Sequence, residues 1–322
     1  MNKVLLAIVV PCFKEEAVLE ETTKQLTSVI EKLISEELIS SESYILYVND
    51  GSTDSTWSLI KKLNAANRYV CGVNLACNVG HQNALMAGMT IASKKCDIAV
   101  TIDADLQDDV NAIRDMILKY YEGNDIVYGV RASRATDTWF KRNTALAFYS
   151  LIKKMGVKSV YNHADYRLMS KRALCQLLSY RERNLFLRGI VPLIGYKTDK
   201  VYYNRSERFA GESKYPLKKM ISFAFDGITS FSVTPVHLVL YLGILFLFIA
   251  LGILCWVIYV YLFAKTVPGW ASLMLSLWFC SGCMLTGIGV VGEYIGKIYM
   301  EVKDRPRFNI ENVLWNEKAR ND

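Results

Sequence analysis

The chain has 322 residues, room for one large or two modest domains, and a formal net charge of +7. Hydrophobic residues make up 52% and charged residues 21%, so polar and apolar regions must be segregated. The cations cluster beside long uncharged runs and no basic-aromatic nucleic-acid module is present, which points to an anionic membrane leaflet and excludes nucleic acid as the expected partner.

The opening run Lys3–Val10 is apolar but short, lacks a small-residue cleavage site and meets Pro11 and then Glu15-Glu16, so it reads as a buried strand rather than a signal peptide. Further strand-like runs follow at Tyr44–Asn49, Val70–Leu75, Ile98–Ile102 and Ile126–Val130. Helical patterns separate them at Ala17–Glu37, Ser55–Ala66, Gln82–Ser93 and Val110–Tyr121. This alternation predicts an α/β fold with a doubly wound, mainly parallel sheet, whose ligands sit at the carboxyl ends of the strands.

Two of those ends are acidic. The second strand runs into Asn49-Asp50-Gly51-Ser52-Thr53-Asp54, where Asp50 is either a ligand-facing carboxylate or ordinary turn chemistry, and Ser52 or Thr53 is placed to cap the next helix. The fourth runs into Thr101-Ile102-Asp103-Ala104-Asp105-Leu106-Gln107-Asp108-Asp109. Alternation along an extended backbone points Asp103 and Asp105 the same way, with Gln107 one step further. Crowded carboxylates are costly unless a cation neutralises them, and Mg²⁺ or Mn²⁺ bridging a diphosphate is the natural occupant. The alternative is a solvated acidic turn in which Asp108 or Asp109 caps the following helix.

Beyond Gly156 the sequence becomes basic and aromatic, through Asp165–Met169, Glu182–Gly189 and Tyr202–Lys214. Tyr215–Ser232 spaces Leu217, Ile221, Phe225, Ile228 and Phe231 as a helix does, either lying on a leaflet or packed on the domain. Val236–Phe263 then carries no charge, nor does Val267–Gly292, and each exceeds the roughly 20 residues that span a bilayer core. Lys214, Lys218 and Lys219 precede the first run, and Lys297, Lys303, Arg305 and Arg307 follow the second, which places both termini in the cytoplasm. The eight cysteines are scattered, as in a reducing compartment, and Cys280-Ser281-Gly282-Cys283 falls inside a span, where small residues serve helix packing.

Several of these segments occur together in a recognisable order: Val9–Glu16, Asn49–Asp54, Asn78-Val79-Gly80-His81, Asp103–Asp108, Asp165–Met169 and Arg208…Gly211…Ser213-Lys214. The set resembles glycosyltransferase family 2 enzymes of the GT-A fold that act on polyprenyl phosphates. Dolichol-phosphate mannose synthases share the catalytic half, and bactoprenol glucosyltransferases resemble the whole chain. The resemblance implies a catalytic domain over 1–213, an interfacial helix over 214–234, a two-helix transmembrane hairpin over 235–293 (about 236–263 and 268–292) and a cytoplasmic basic tail over 294–322. It further implies that Pro11, Phe13, Glu15 and Asp50 line the nucleoside pocket, and that Asp103, Asp105 and Gln107 surround a Mg²⁺ or Mn²⁺ ion. Arg131, Arg205, Arg208 and Lys214 would meet phosphate, and Asp165 would act as a base or a positioning group, with a structural salt bridge to Arg167 as the alternative. Lys14 stands where the family often has Asn, and Cys77 where Arg commonly precedes Asn-x-Gly.

The expected reaction moves glucose or N-acetylglucosamine from a UDP-sugar to undecaprenyl phosphate with inversion, at the bacterial inner membrane and with the catalytic domain in the cytoplasm. Oligomeric state, a homo-oligomer included, stays open. A processive polysaccharide synthase would carry Gln-x-x-Arg-Trp, whereas the nearest segment is Gln176-Leu177-Leu178-Ser179-Tyr180. A non-enzymatic membrane scaffold would have lost the acidic motifs, and both are intact.

Overall fold

The computed structural model describes residues 3–132, 163–183, 185–204 and 269–316, with scattered positions between 236 and 259. Strand β1 (Leu6–Cys12) is buried along its whole length, the mark of a central strand covered on both faces. It is followed by α1 (Leu19–Ser35), β2 (Tyr44–Asn49), α2 (Thr56–Ala66), β3 (Val70–Leu75), α3 (His81–Ala92), β4 (Ile98–Thr101), α4 (Ala112–Tyr121) and β5 (Ile126–Arg131). These nine elements lie where the alternation predicts them, within two residues at nearly every boundary.

The remainder departs from the sequence pattern. Strand β6 (His163–Ser170) enters antiparallel between β4 and β5, followed by α5 (Lys171–Ser179), the short α6 (Leu187–Ile190) and β7 (Thr198–Tyr203). After the 33-residue α7 (Trp270–Val302), β8 (Ile310–Leu314) returns to pair antiparallel with β3, with Val73 opposite Val313. The sheet therefore has eight strands in the order β7-β5-β6-β4-β1-β2-β3-β8. Part of the segment read as a basic tail is thus an edge strand. Trp315 beyond it packs edge-on against Tyr44, with the Lys95 ammonium 3.7 Å from the centre of its ring.

Strand alternation splits the core in two. Leu6, Ile8 and Val10 face α1, α2 and α4, while Ala7 and Val9 face α3 and α5. Gly88 lets α3 lie against the sheet, since a Cβ there would stand 2.4 Å from Val9 Cγ1. This packing fixes the carboxyl ends of β1, β2 and β4 along one rim.

Helix α7 is built differently. Leu277, Phe279, Leu285, Ile288 and Ile298 are each more than half exposed. Within it, Phe279–Val302 is long and apolar enough to cross a bilayer, the one such helix among the described residues. Helix α7 itself starts at Trp270 and so runs through nearly all of the second uncharged run. The described positions of the first uncharged run are helical, and Tyr241, Phe248 and Trp256 among them are exposed. The interfacial helix expected at Tyr215–Ser232 lies outside the described residues.

Candidate active site

The rim divides into two neighbouring groups. At the ends of β1 and β2, two loops are latched together: Lys14 N–H donates to Ser52 Oγ (3.0 Å), Glu15 N–H to Thr56 Oγ1 (3.1 Å) and Ser55 N–H to Glu16 Oε2 (2.9 Å). Lys14 takes a positive φ of 56° to turn the chain there. Phe13 stands 38% exposed on this loop, Glu15 is half-buried, and Pro11 lies buried within β1. The hydroxyl of Ser52 is thus used by the Lys14 loop, and Asp54 Oδ1, in place of Ser52 or Thr53, accepts from Thr56 N–H at the start of α2.

Asp50 is 2% exposed and holds the neighbouring loop. Its carboxylate accepts from Val79 N–H (2.7 Å), Gly80 N–H (3.0 Å) and Asn78 Nδ2 (3.1 Å). Burial raises its pKa, opposed by the two backbone N–H bonds and by His81. Gly51 beside it has φ 60°, and a Cβ would stand 2.4 Å from Asn78 N, so only glycine lets the two loops meet. The turn chemistry open at Asp50 is therefore present, and it joins the Asp50 loop to the Asn78–His81 motif.

The second group follows β4. The strand ends at Thr101, and the chain then turns through Leu106 at φ 56°, so Asp103 and Asp105 lie in a turn rather than in strand alternation. The Asp103 side chain keeps 41% of its surface open, whereas Asp105 is 9% exposed and accepts from Gln107 N–H at 3.2 Å. Burial of its carboxyl pushes Asp103 up to about 6; nearby His81 opposes this, while Asp108, Asp165 and Asp105 add to it. Among the described residues no three His, Cys, Asp or Glu side chains could hold a metal by themselves. Two carboxylates and an amide nonetheless suit a hard divalent ion that takes its remaining oxygens from water and substrate phosphates. The charge crowding at Asp103 is the strain such an ion relieves.

Asp109 takes up the turn role foreseen for the acidic run, accepting from Asn111 N–H ahead of α4 at 2.9 Å. Asp108 turns inward instead: Tyr203 Oη donates to Asp108 Oδ1 (2.6 Å), and Arg131 Nη2, at the end of β5, lies 3.7 Å from the same atom.

Asp165, on β6, sits among cations. Arg167 Nη2 donates to its Oδ1 at 2.5 Å, Arg188 Nη2 to its Oδ2 at 3.3 Å, and His81 Nε2 lies 3.8 Å from Oδ2 and 3.6 Å from Asp103 Oδ1. Burial alone would raise its pKa, but Arg188, Arg167 and His81 overcome that and hold the carboxyl far below the usual carboxylate range. Arg167 is 1% exposed, and its Nε and Nη1 have no hydrogen-bond partner among the described residues, so Asp165 is the carboxylate that balances it. The Arg167 salt bridge is present, and it leaves Asp165 a weak base.

The structure thus brings Asp50, Asp103, Asp105, Gln107, Arg131 and Asp165 to one rim, with Phe13 and Glu15 at its edge. Arg205, Arg208 and Lys214 lie outside the described residues. Sequence reasoning missed His81, Asp108, Arg188 and Tyr203 as members of the site; His81 carried a signal as the last residue of the Asn78–His81 motif, and Asp108 as part of the acidic run.

The Glycosyl transferase family 2 profile matches residues 7–178. The chain is 56% identical over 314 residues to the glycosyltransferase YkoT of Bacillus subtilis (strain 168), covering 98% of this chain and 93% of that protein. It is 38% identical over 310 residues to the prophage bactoprenol glucosyl transferase homolog of Escherichia coli K12, covering 96% of this chain and 99% of that one. Among solved structures, glucosyl-3-phosphoglycerate synthase of Mycobacterium tuberculosis, crystallised with Mn²⁺ and UDP, is similar at a TM-score of 0.44 and 16% identity over 70% of this chain and 78% of that one. With an eight-stranded, mostly parallel GT-A-like sheet and sequence relatives matched along almost their whole length, the chain belongs to glycosyltransferase family 2 and is bactoprenol glucosyltransferase-like.

Proposed function

We propose that this glycosyltransferase moves a single sugar, glucose or N-acetylglucosamine, from a UDP-sugar to undecaprenyl phosphate, inverting the anomeric centre. The observation that carries the reading is the pairing of an acidic turn, with Asp103 open and Asp105 buried beside it, with an arginine-clamped Asp165 on the same rim. One group suits the diphosphate of a donor, the other a second anion. Pro11, Phe13, Glu15 and Asp50 take the nucleoside beside them. The names of the bactoprenol glucosyl transferase relatives support the acceptor class.

Asp103, Asp105 and Gln107 would hold Mg²⁺ or Mn²⁺, which when bound supplies Lewis-acid stabilisation to the departing diphosphate. The chain's own residues set the rest of the chemistry. A phosphate monoester has its second pKa near about 6 and reaches the site already ionised, so its oxygen needs no strong base to attack the anomeric carbon. That agrees with an Asp165 too acidic to accept a proton at neutral pH. Its role in this reading is to position Arg188 and to balance buried Arg167. Arg131 and Arg188 then present guanidinium groups to phosphate, as forks that can bind two oxygens at once. Arg205, Arg208 and Lys214 are proposed to meet the lipid phosphate at the bilayer.

The membrane reading has support from chain path. The N-terminal domain precedes both uncharged runs, and β8 after α7 is paired into that same domain's sheet. A chain that crossed the bilayer once, through α7, would leave β8 on the far side. An even number of crossings returns it, and Val236–Phe263 supplies the second. Exposed apolar residues along α7 suit lipid contact. The basic flanks place the catalytic domain in the cytoplasm, on the inner membrane of a bacterium.

The test is a panel of UDP-sugars offered to the purified protein with undecaprenyl phosphate and Mg²⁺ or Mn²⁺. UDP release that requires both lipid and metal, with one sugar preferred, is the expected result. Release independent of the lipid would overturn the acceptor assignment.

A further inference from the structure

The segment between α5 and α6 is pinned at both ends. At its start, Arg307 Nη2 donates to Tyr180 O (2.5 Å), Arg183 N–H donates to Glu301 Oε1 (2.6 Å), and the Arg183 guanidinium pairs with Asp304. Glu301 is the penultimate residue of α7, and Asp304 lies just beyond it in a left-handed turn at φ 43°. At the segment's far end, Leu187 N–H donates to Gln82 Oε1 (2.8 Å), next to His81, and Arg188 reaches Asp165. The Arg183 side chain is only 16% exposed, while its partner Asp304 reaches it from the surface at 67%. The cation held by the helix exit, Arg183, and the cation in the active site, Arg188, are five positions apart along the chain.

We propose that the exit of α7 positions Arg188: the Arg183–Glu301–Asp304 contact holds the 180–188 segment so that the Arg188 guanidinium stays at Asp165. Arg183 is a positioning residue that acts through Arg188. A shift of α7 relative to the sheet changes transfer without touching the donor pocket. The proposal rests on the reading of Arg188 as a phosphate-facing group in a glycosyl transfer site.

Displacing a catalytic group by an ångström costs on the order of a hundredfold in rate, which sets the upper end of the effect. In full-length protein, Arg183→Ala and the surface variant Asp304→Asn should each lower kcat, by roughly tenfold or more for Arg183→Ala, with the KM for UDP-sugar and the melting temperature nearly unchanged. The exchanged pair Arg183→Asp with Asp304→Arg should recover part of the loss. Arg188→Ala should be impaired by itself, and adding Arg183→Ala to it should cost nothing more, because both changes remove one arrangement. Full additivity of Arg183→Ala and Arg188→Ala, or unaltered kcat in Arg183→Ala and Asp304→Asn beside an impaired Arg188→Ala, would overturn the positioning role while leaving the site reading intact. Unaltered turnover in Arg188→Ala would instead overturn the site reading, and the proposal with it.

Discussion

Arg188 and Asp165 lie 23 positions apart in sequence and meet at 3.3 Å on the rim of the sheet, one on a short helix and the other on the antiparallel strand β6. With Arg167 on the opposite carboxylate oxygen, the pair turns a residue that family resemblance offers as a base into one that stays ionised. The sign of the pH dependence follows. A depressed folded-state pKa contributes stability that is present above the unfolded value near about 4 and lost as pH falls through and below it. Asp165→Asn should therefore destabilise the protein at pH 7, since it leaves buried Arg167 without its counter-charge, a change that typically costs about 3–5 kcal/mol. Denaturant unfolding of the variant against the parent at pH 7 checks it. The kcat profile of the parent should show no ionisation attributable to Asp165 between pH 5 and 8.

Asp103 predicts the opposite slope. Its folded-state pKa is raised to about 6, above the unfolded value near about 4, so the folded protein binds the extra proton and is favoured as pH falls through that window. Metal-free protein should accordingly gain melting temperature from this group between pH 7 and pH 5. Mn²⁺ should stabilise it more at pH 7 than at pH 5, because protons and cation compete for one carboxylate. A melting temperature that rises equally with Mn²⁺ at both pH values would count against Asp103 as a ligand.

Asp103→Asn and Asp105→Asn should each abolish transfer while leaving the fold in place, because each removes charge that anchors the cation and hence the diphosphate. Initial rates at limiting Mn²⁺, set beside circular dichroism of each variant, decide the matter. Near-normal turnover in both variants would remove the metal assignment.

Arg208→Ala should raise the KM for polyprenyl phosphate far more than the KM for UDP-sugar. A lost charge-assisted phosphate contact costs on the order of 1.5–3 kcal/mol, roughly tenfold to a hundredfold in affinity. Arg208→Lys should recover only part, since a point charge replaces a fork. Kinetics in neutral detergent separate this from simple attraction to anionic lipid: a defect that vanishes there would assign Arg208 to the leaflet rather than to the acceptor.

The proposed two-span topology predicts that an impermeant thiol reagent applied to intact cells labels a cysteine introduced at Thr266 and spares one at Asn321, in a background without other reactive cysteines. The reversed pattern would separate the active site from cytosolic sugar nucleotide.

The first five strands were legible because each is an uninterrupted apolar run bounded by helical periodicity, and the acidic turn was legible because carboxylates so close together require a reason. Strand β6 was not. Its centre, Asp165-Tyr166-Arg167, carries two charges, and only their mutual pairing and Arg188 make it tolerable beside β4. Ile310–Leu314 alternates too briefly to announce a strand; its pairing with the free edge of β3 decides it. Likewise Arg188 and Tyr203 carry no local mark, since each acts on a partner brought near by the fold.

Strand β8 also sets an order of events during synthesis. The ribosome delivers β3 some 230 residues before the strand that covers its edge, and the interval contains both uncharged runs. Until the last helix is complete, the nascent domain carries an unpaired β3 edge, the feature through which chains join one another. Sealing that edge waits on synthesis of α7 and the turn after it, so the sheet of the catalytic domain is completed only when β8 is delivered.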